Sequence, residues 1–202
     1  MPDLLFATRN PWKAKLFLPS FQRYGFAVLS LCDISAEDLP VERGLTAVEN
    51  ALIKARFYHS TMHPWVFGDD AGLEIDALDG EPGLQARRWH GHFSDDVDDQ
   101  TWLDYLLLRM KDVPLEKRTA SFVSGWALVT PDGNVYTREI RWPFRIALKP
   151  FRPISAGSPI SCVRIGPDDD LAHRQAEIQQ EWDRWGILKD IYADNTLDLR
   201  KI

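Results

Sequence analysis

The chain reads as an α/β protein, and three observations predict that class. A short apolar strand-helix-strand opening runs from Leu4 to Leu31, Thr46-Ala47-Val48-Glu49 carries a helix-start signal, and two strand-like runs flank Pro131-Asp132-Gly133-Asn134. At 202 residues with 45% hydrophobic content, there is enough apolar material for one substantial core or two lobes without disulfide staples. A single α/β domain over residues 1–202 is the expected organisation.

Leu4 to Thr8 is an apolar run closed by Arg9-Asn10-Pro11, which predicts a buried strand, a loop and a helix beginning near Pro11 or Trp12. That helix runs to about Tyr24, Gly25 stops it, and Phe26 to Leu31 is the second strand. Cys32 to Leu45, with Pro40 and Gly44, reads as loop. Thr46 and Glu49 have the form of a capping box, in which hydroxyl and carboxylate satisfy helix-end N–H groups, so a helix is expected from Ala47 to about His59. Asn50 and Lys54, four apart, share one of its faces.

Trp65 to Phe67 and Leu73 to Leu78 read as strands flanking Asp69-Asp70. Asp98 to Met110 places Trp102, Leu103, Leu106 and Leu107 at helical spacing, a packing helix capped by Asp98 or Asp99. Ala120 to Val129 and Val135 to Leu148 form a hairpin across Pro131-Asp132-Gly133-Asn134. After Pro150 the pattern degrades around Ala156-Gly157-Ser158-Pro159, Asp168-Asp169-Asp170 is a charge cluster, and a last helix is expected from about Leu171 to Trp185.

The formal charge of -6 and pI near 5.4 argue against a nucleic-acid partner, because duplex binding rests on clustered Lys and Arg. An anionic ligand must be met locally, by a few lysines or a metal. Cys32 and Cys162, the only cysteines, offer neither a disulfide framework nor a metal spacing, so a reducing cytoplasmic setting is expected. The first residues lack a signal-peptide pattern, and no apolar run approaches the ~20 residues that span a bilayer, so no membrane partner is expected.

Three segments carry chemistry. Thr8-Arg9-Asn10-Pro11-Trp12-Lys13 offers a hydroxyl, an amide, free backbone N–H groups and a cation at a helix N-terminus, which suits phosphate oxygens. Glu49-Asn50-Ala51-Leu52-Ile53-Lys54 adds a second lysine within reach of a phosphate. Asp69-Asp70 beside Gly68 and Gly72 suits a divalent metal and an activated water, although Asp-Asp-x-Gly is also an ordinary turn.

Taken together these segments resemble the inosine triphosphate pyrophosphatase family. The resemblance rests on Phe6-Ala7-Thr8-Arg9-Asn10-Pro11-Trp12-Lys13, on Gly44 to Ala55, and on Asp69-Asp70-Ala71-Gly72-Leu73 running to Asp79-Gly80-Glu81-Pro82-Gly83 and Ala86-Arg87, in the family's order over residues 4 to 90. It implies a long twisted mixed β-sheet flanked by helices, two lobes with a cleft between them, and a homodimer. It also implies a Mg²⁺-dependent pyrophosphohydrolase that converts non-standard purine nucleoside triphosphates (ITP, dITP, XTP) to the monophosphate and pyrophosphate.

Carried over residue by residue, the resemblance implies that Thr8, Asn10 and Lys13 line the triphosphate site and that Lys54 neutralises it. Asp70 matches the general base and metal position, and Asp69 its metal or water-network partner. Glu42 is the other acidic metal contributor, or Glu49 if the register there slips. His173-Arg174 matches a segment that contacts the purine, with Ala172 in place of its serine.

The departures are specific. Arg9 replaces a glycine, where a side chain crowds the phosphates or adds a charge to them, Leu16 replaces a glutamate, and Ala71 replaces a serine that touches phosphate. The aromatic-rich base-reading segment is replaced by Ala156 to Gly166, with no aromatic residue and no Asp before Asp168. The phosphate half of the site is kept and the base half is altered. Two alternatives therefore stand beside the main reading: a related pyrophosphatase with a different nucleotide preference, and a catalytically weak nucleotide-binding protein.

Overall fold

In the computed structural model, which describes residues 2–34, 38–94, 96–166 and 170–189, seven strands form one mixed sheet flanked by four α-helices. The strand order is β2-β1-β3-β5-β6-β7, with β4 paired to β3. The chain divides into two compact units, one of residues 1–70, 125–138 and 170–202 and the other of residues 71–124 and 139–169.

In the first unit, β1 (Asp3–Phe6) pairs in parallel with β2 (Ala27–Ser30) and with the start of β3 (Trp65–Ile75), Leu5 opposing Leu29 on one side and Val66 on the other. Its helices form where the sequence signals them: α1 (Pro11–Arg23), α2 (Ala47–Tyr58) and α4 (Leu171–Trp185). Pro11 at the first helical position, Gly25 at φ 78° beyond the end of α1, and Asp170 capping α4 mark the boundaries. Around them is an aromatic core of Phe6, Phe17, Phe21, Phe67, Trp126 and Trp182, in which Trp126 and Trp182 stack at 5.0 Å between ring centroids.

Pro19 lies inside α1 and cannot donate to the carbonyl of Lys15. That carbonyl instead accepts from Gln175 Nε2 of α4 at 2.9 Å, so the proline's missing bond is supplied by the neighbouring helix.

In the second unit, α3 (Asp99–Arg109), capped by Asp98, packs Trp102, Leu103 and Leu106 against Leu73, Ile75, Phe144 and Ile146. β4 (Pro82–Gly83) pairs with the end of β3, and β7 (Arg164–Ile165) with the end of β6 (Val135–Ile146). The stretch that reads as patternless in sequence is structured: Ile160, Cys162 and Val163 are core residues. β5 (Thr119–Val129) joins β6 through the expected hairpin, whose residues belong to the first unit and where Gly133 N donates to Thr130 O at 2.8 Å. Asp168 and Asp169 of the charge cluster lie outside the described residues. No described helix is long and apolar enough to cross a membrane.

Candidate active site

The first crossover runs from β1 to β2 and the second returns past β1 to β3, so the strand order reverses there and the C-terminal end of β1 lies at a topological switch point. Ligands of open α/β sheets bind at such points. There Asn10 caps α1: its Oδ1 accepts from Trp12 N at 2.9 Å and Lys13 N at 3.3 Å, while Thr8 Oγ1 accepts from Asn10 N at 3.1 Å. These backbone N–H groups, free by the sequence reading, are thus already bonded. What remains for an anion is the Lys13 ammonium, the Asn10 side-chain NH₂, the Thr8 hydroxyl proton and the positive end of the helix.

The Asp pair corrects the sequence reading more sharply. Two strands separated by an Asp-Asp turn are expected, and β3 instead runs unbroken through Asp69, Asp70, Ala71 and Gly72. The glycine beside the pair serves close approach rather than a turn. A Cβ on Gly68 would stand 2.1 Å from Ala51 O of α2, so only glycine lets this strand meet that helix. Gly125 of β5 does the same, since its Cβ would fall 2.1 Å from the Ala47 carbonyl carbon. The close approach places the α2 side chains Asn50 and Lys54 over the two aspartates.

Each aspartate has its own lysine. Lys13 Nζ lies 2.5 Å from Asp69 Oδ2, and Lys54 Nζ lies 2.8 Å from Asp70 Oδ1. Burial raises the Asp69 carboxyl above its ordinary value, against the opposing pull of Lys13. For Lys54, burial lowers the ammonium, but the charges of Asp70 and Glu42 outweigh it and the net shift is upward. Lys54 also donates to Asp69 O at 3.2 Å and pairs with Glu42 Oε2 at 3.0 Å.

Sequence reasoning misses Asn50 as a site residue; the signal that finds it is its four-residue spacing from Lys54. Its amide is buried, Oδ1 accepting from Gly44 N at 2.7 Å and Nδ2 donating to Asp70 Oδ2 at 3.1 Å. Both Asp70 oxygens therefore face donors, one from Asn50 and one from Lys54. Glu49 is committed to the helix start, its Oε2 accepting from Leu45 N at 2.6 Å while its own N–H reaches Thr46 Oγ1. Of the two acidic candidates, Glu42 is the one that reaches the site.

The other candidates are placed as follows. Arg9 is exposed, its carbonyl accepting from Cys32 Sγ at 3.2 Å, and its charge opposes the burial that raises the Tyr58 phenol. Ala71 follows Asp70 in β3, half-buried. His173 and Arg174 lie in the first turn of α4, where Glu177 pairs with Arg174 at 2.5 Å and approaches His173 Nε2 at 3.6 Å. In the altered base segment, Ile160 to Val163 are buried among the α3 and β-strand residues of the second unit.

Among the described residues, no group of three or more His, Cys, Asp or Glu side chains is arranged to hold a metal alone. Asp70 Oδ1, Glu42 Oε2 and Asp69 O nevertheless converge on one point, the Lys54 ammonium. Two carboxylates and a carbonyl are hard oxygen donors, and Mg²⁺ is held through one or two carboxylates with substrate phosphates completing its shell. The donor set fits such an ion.

The fold is that of an α/β protein with two lysine–aspartate ion pairs beside the capped start of α1. Residues 4–153 match the Ham1 family, and the chain belongs to that family. It is 39% identical over 153 residues to the dITP/XTP pyrophosphatase of Mycolicibacterium paratuberculosis, covering 74% of this chain and 73% of that one. To the dITP/XTP pyrophosphatase of Corynebacterium efficiens it is 46% identical over 115 residues, covering 57% of this chain and 54% of the relative. The structure of the Mycobacterium abscessus nucleoside-triphosphatase / dITP/XTP pyrophosphatase aligns with TM-score 0.63 at 35% identity, over 84% of this chain and 85% of that one. A HAM1 protein from Coxiella burnetii shares the fold, with TM-score 0.74 at 23% identity over 94% and 100% of the two chains.

Proposed function

We propose that this chain is a Mg²⁺-dependent nucleoside triphosphate pyrophosphohydrolase that converts ITP, dITP and XTP to the monophosphate and pyrophosphate. The observation that carries the reading is the pair of ion pairs Lys13–Asp69 and Lys54–Asp70 beside the Asn10-capped end of α1. The names of the relatives in Mycolicibacterium paratuberculosis and Corynebacterium efficiens support the reaction and the purine class.

Asp70 accepts the proton of the attacking water, and Asn50 orients its carboxylate by holding Oδ2. Lys13 and Lys54 stabilise the charge that develops on the leaving pyrophosphate, electrostatic work that dominates phosphoryl transfer. Thr8 and Asn10 donate to phosphate oxygens, and Arg9 and the backbone at Ala71 border the same anion. Asp69, buried, holds Lys13 in place. Asp70 and Glu42, with Asp69, would hold the cation, which when bound neutralises phosphate charge and acidifies water. His173 and Arg174, at the start of α4, contact the base. We place the enzyme in the cytoplasm, where nucleotide pools lie, as a homodimer without nucleic-acid or membrane partners.

A panel of nucleoside triphosphates scored for Mg²⁺-dependent pyrophosphate release tests the reading. Release from ITP, dITP and XTP in preference to the standard nucleotides supports it. A second reading, a related pyrophosphatase with another base preference, is favoured by the burial of Ile160 to Val163 where an aromatic base-reading segment is expected. It predicts release chiefly from other triphosphates.

A further inference from the structure

The three hydrogens of the Lys54 ammonium have three oxygen acceptors: Asp70 Oδ1 at 2.8 Å, Glu42 Oε2 at 3.0 Å and Asp69 O at 3.2 Å. An ammonium has three donors and no acceptor, so none is left over for a phosphate. The same three oxygens form the donor set that suits a divalent cation. We infer that Lys54 is an internal cation that keeps this donor set closed in the nucleotide-free protein and releases it when phosphate oxygens draw the ammonium away.

The inference rests on the proposed hydrolase reading and deepens it by naming how cation and nucleotide binding are linked. An ammonium and a divalent ion compete for these oxygens, because two cations on shared donors repel in a partly buried site. The Lys54 side chain is only 14% exposed, so water screens that repulsion poorly. An arriving triphosphate offers the ammonium new acceptors and leaves Asp70 and Glu42 to the cation. Each ligand then strengthens binding of the other by the same factor. Lys13 differs: its partner is the Asp69 carboxylate, which is outside the three-oxygen set.

Mn²⁺ alone, titrated into the nucleotide-free protein and followed by electron paramagnetic resonance, tests this without any turnover. If the Lys54 contacts are closed in about nine molecules of ten, Lys54→Met binds Mn²⁺ about tenfold more tightly than wild type. Adding Glu42→Gln to Lys54→Met abolishes the gain, and Lys13→Met, which removes the same charge elsewhere, gains far less. Should Lys54→Met fail to fold, Lys54→Gln gives the same measurement. An unchanged or weaker Mn²⁺ affinity on losing Lys54, an equal gain in Lys13→Met, or a gain that survives Glu42→Gln overturns the inference. Absence of pyrophosphate release would count against the proposed function and leave this result standing.

Discussion

Lys13 Nζ meets Asp69 Oδ2 at 2.5 Å, an ion pair whose acidic half is buried in the first unit while the lysine side chain stays 26% exposed. Burial raises the Asp69 carboxyl above its ordinary 3.8, and Lys13 offsets only part of that. A carboxyl with a higher pKa folded than unfolded adds stability that is complete below about pH 4 and lost as pH rises through the raised value. Asp69→Asn removes that loss. Its melting temperature should gain on wild type as pH rises from about 4 to 8, and parallel melting curves against pH would contradict the assignment.

Gly68 sets the spacing between β3 and α2, since a Cβ there would meet Ala51 O at 2.1 Å. Gly68→Ala forces a backbone shift costing about 1–3 kcal/mol, measurable by denaturant unfolding. The same shift moves Asp69 and Asp70 away from Asn50 and Lys54, so turnover should fall although no functional side chain is changed.

Asn50 joins the Gly44 backbone to Asp70. Asn50→Ala should lower kcat roughly 10–100-fold with a smaller change in KM, as expected for a group that orients another rather than one that binds substrate. An effect confined to KM would assign Asn50 to substrate binding.

Gln175 replaces the bond that Pro19 denies to Lys15 O. Gln175→Ala should cost about 0.5–1.5 kcal/mol of stability and leave pyrophosphate release unchanged, because the contact joins α1 to α4 without touching the lysine–aspartate pairs.

Much of this was legible where the signal is local. Asn10 before Pro11, Thr46 before Glu49 and Asp170 before Leu171 each mark a helix start by satisfying nearby N–H groups, and all three cap helices in the structure. Asn10, Lys13, Lys54 and Asp70, singled out in the sequence, lie in one cluster of ion pairs and hydrogen bonds in the structure. What sequence could not supply were contacts set by distant backbone. Asp69-Asp70 beside glycines reads as a turn because the α2 helix that Gly68 meets lies seventeen residues earlier at Ala51. Ile160 to Val163 show no clear pattern in the sequence because a core built from α3 and strand residues far apart in sequence imposes no periodicity on them. Glu42 was separated from Glu49 only by seeing which one Leu45 N occupies.

Asp70, held by Lys54 and Asn50, is proposed as the base of a pyrophosphohydrolase. The most direct test is the Mg²⁺-dependent conversion of dITP or XTP by wild type and Asp70→Asn, with both products identified. Wild type should release the monophosphate and pyrophosphate in equal amounts, and Asp70→Asn should be slower on the order of 10²-fold or more. Orthophosphate in place of pyrophosphate would contradict the pyrophosphohydrolase reaction, and wild-type rates in Asp70→Asn would contradict its role as base.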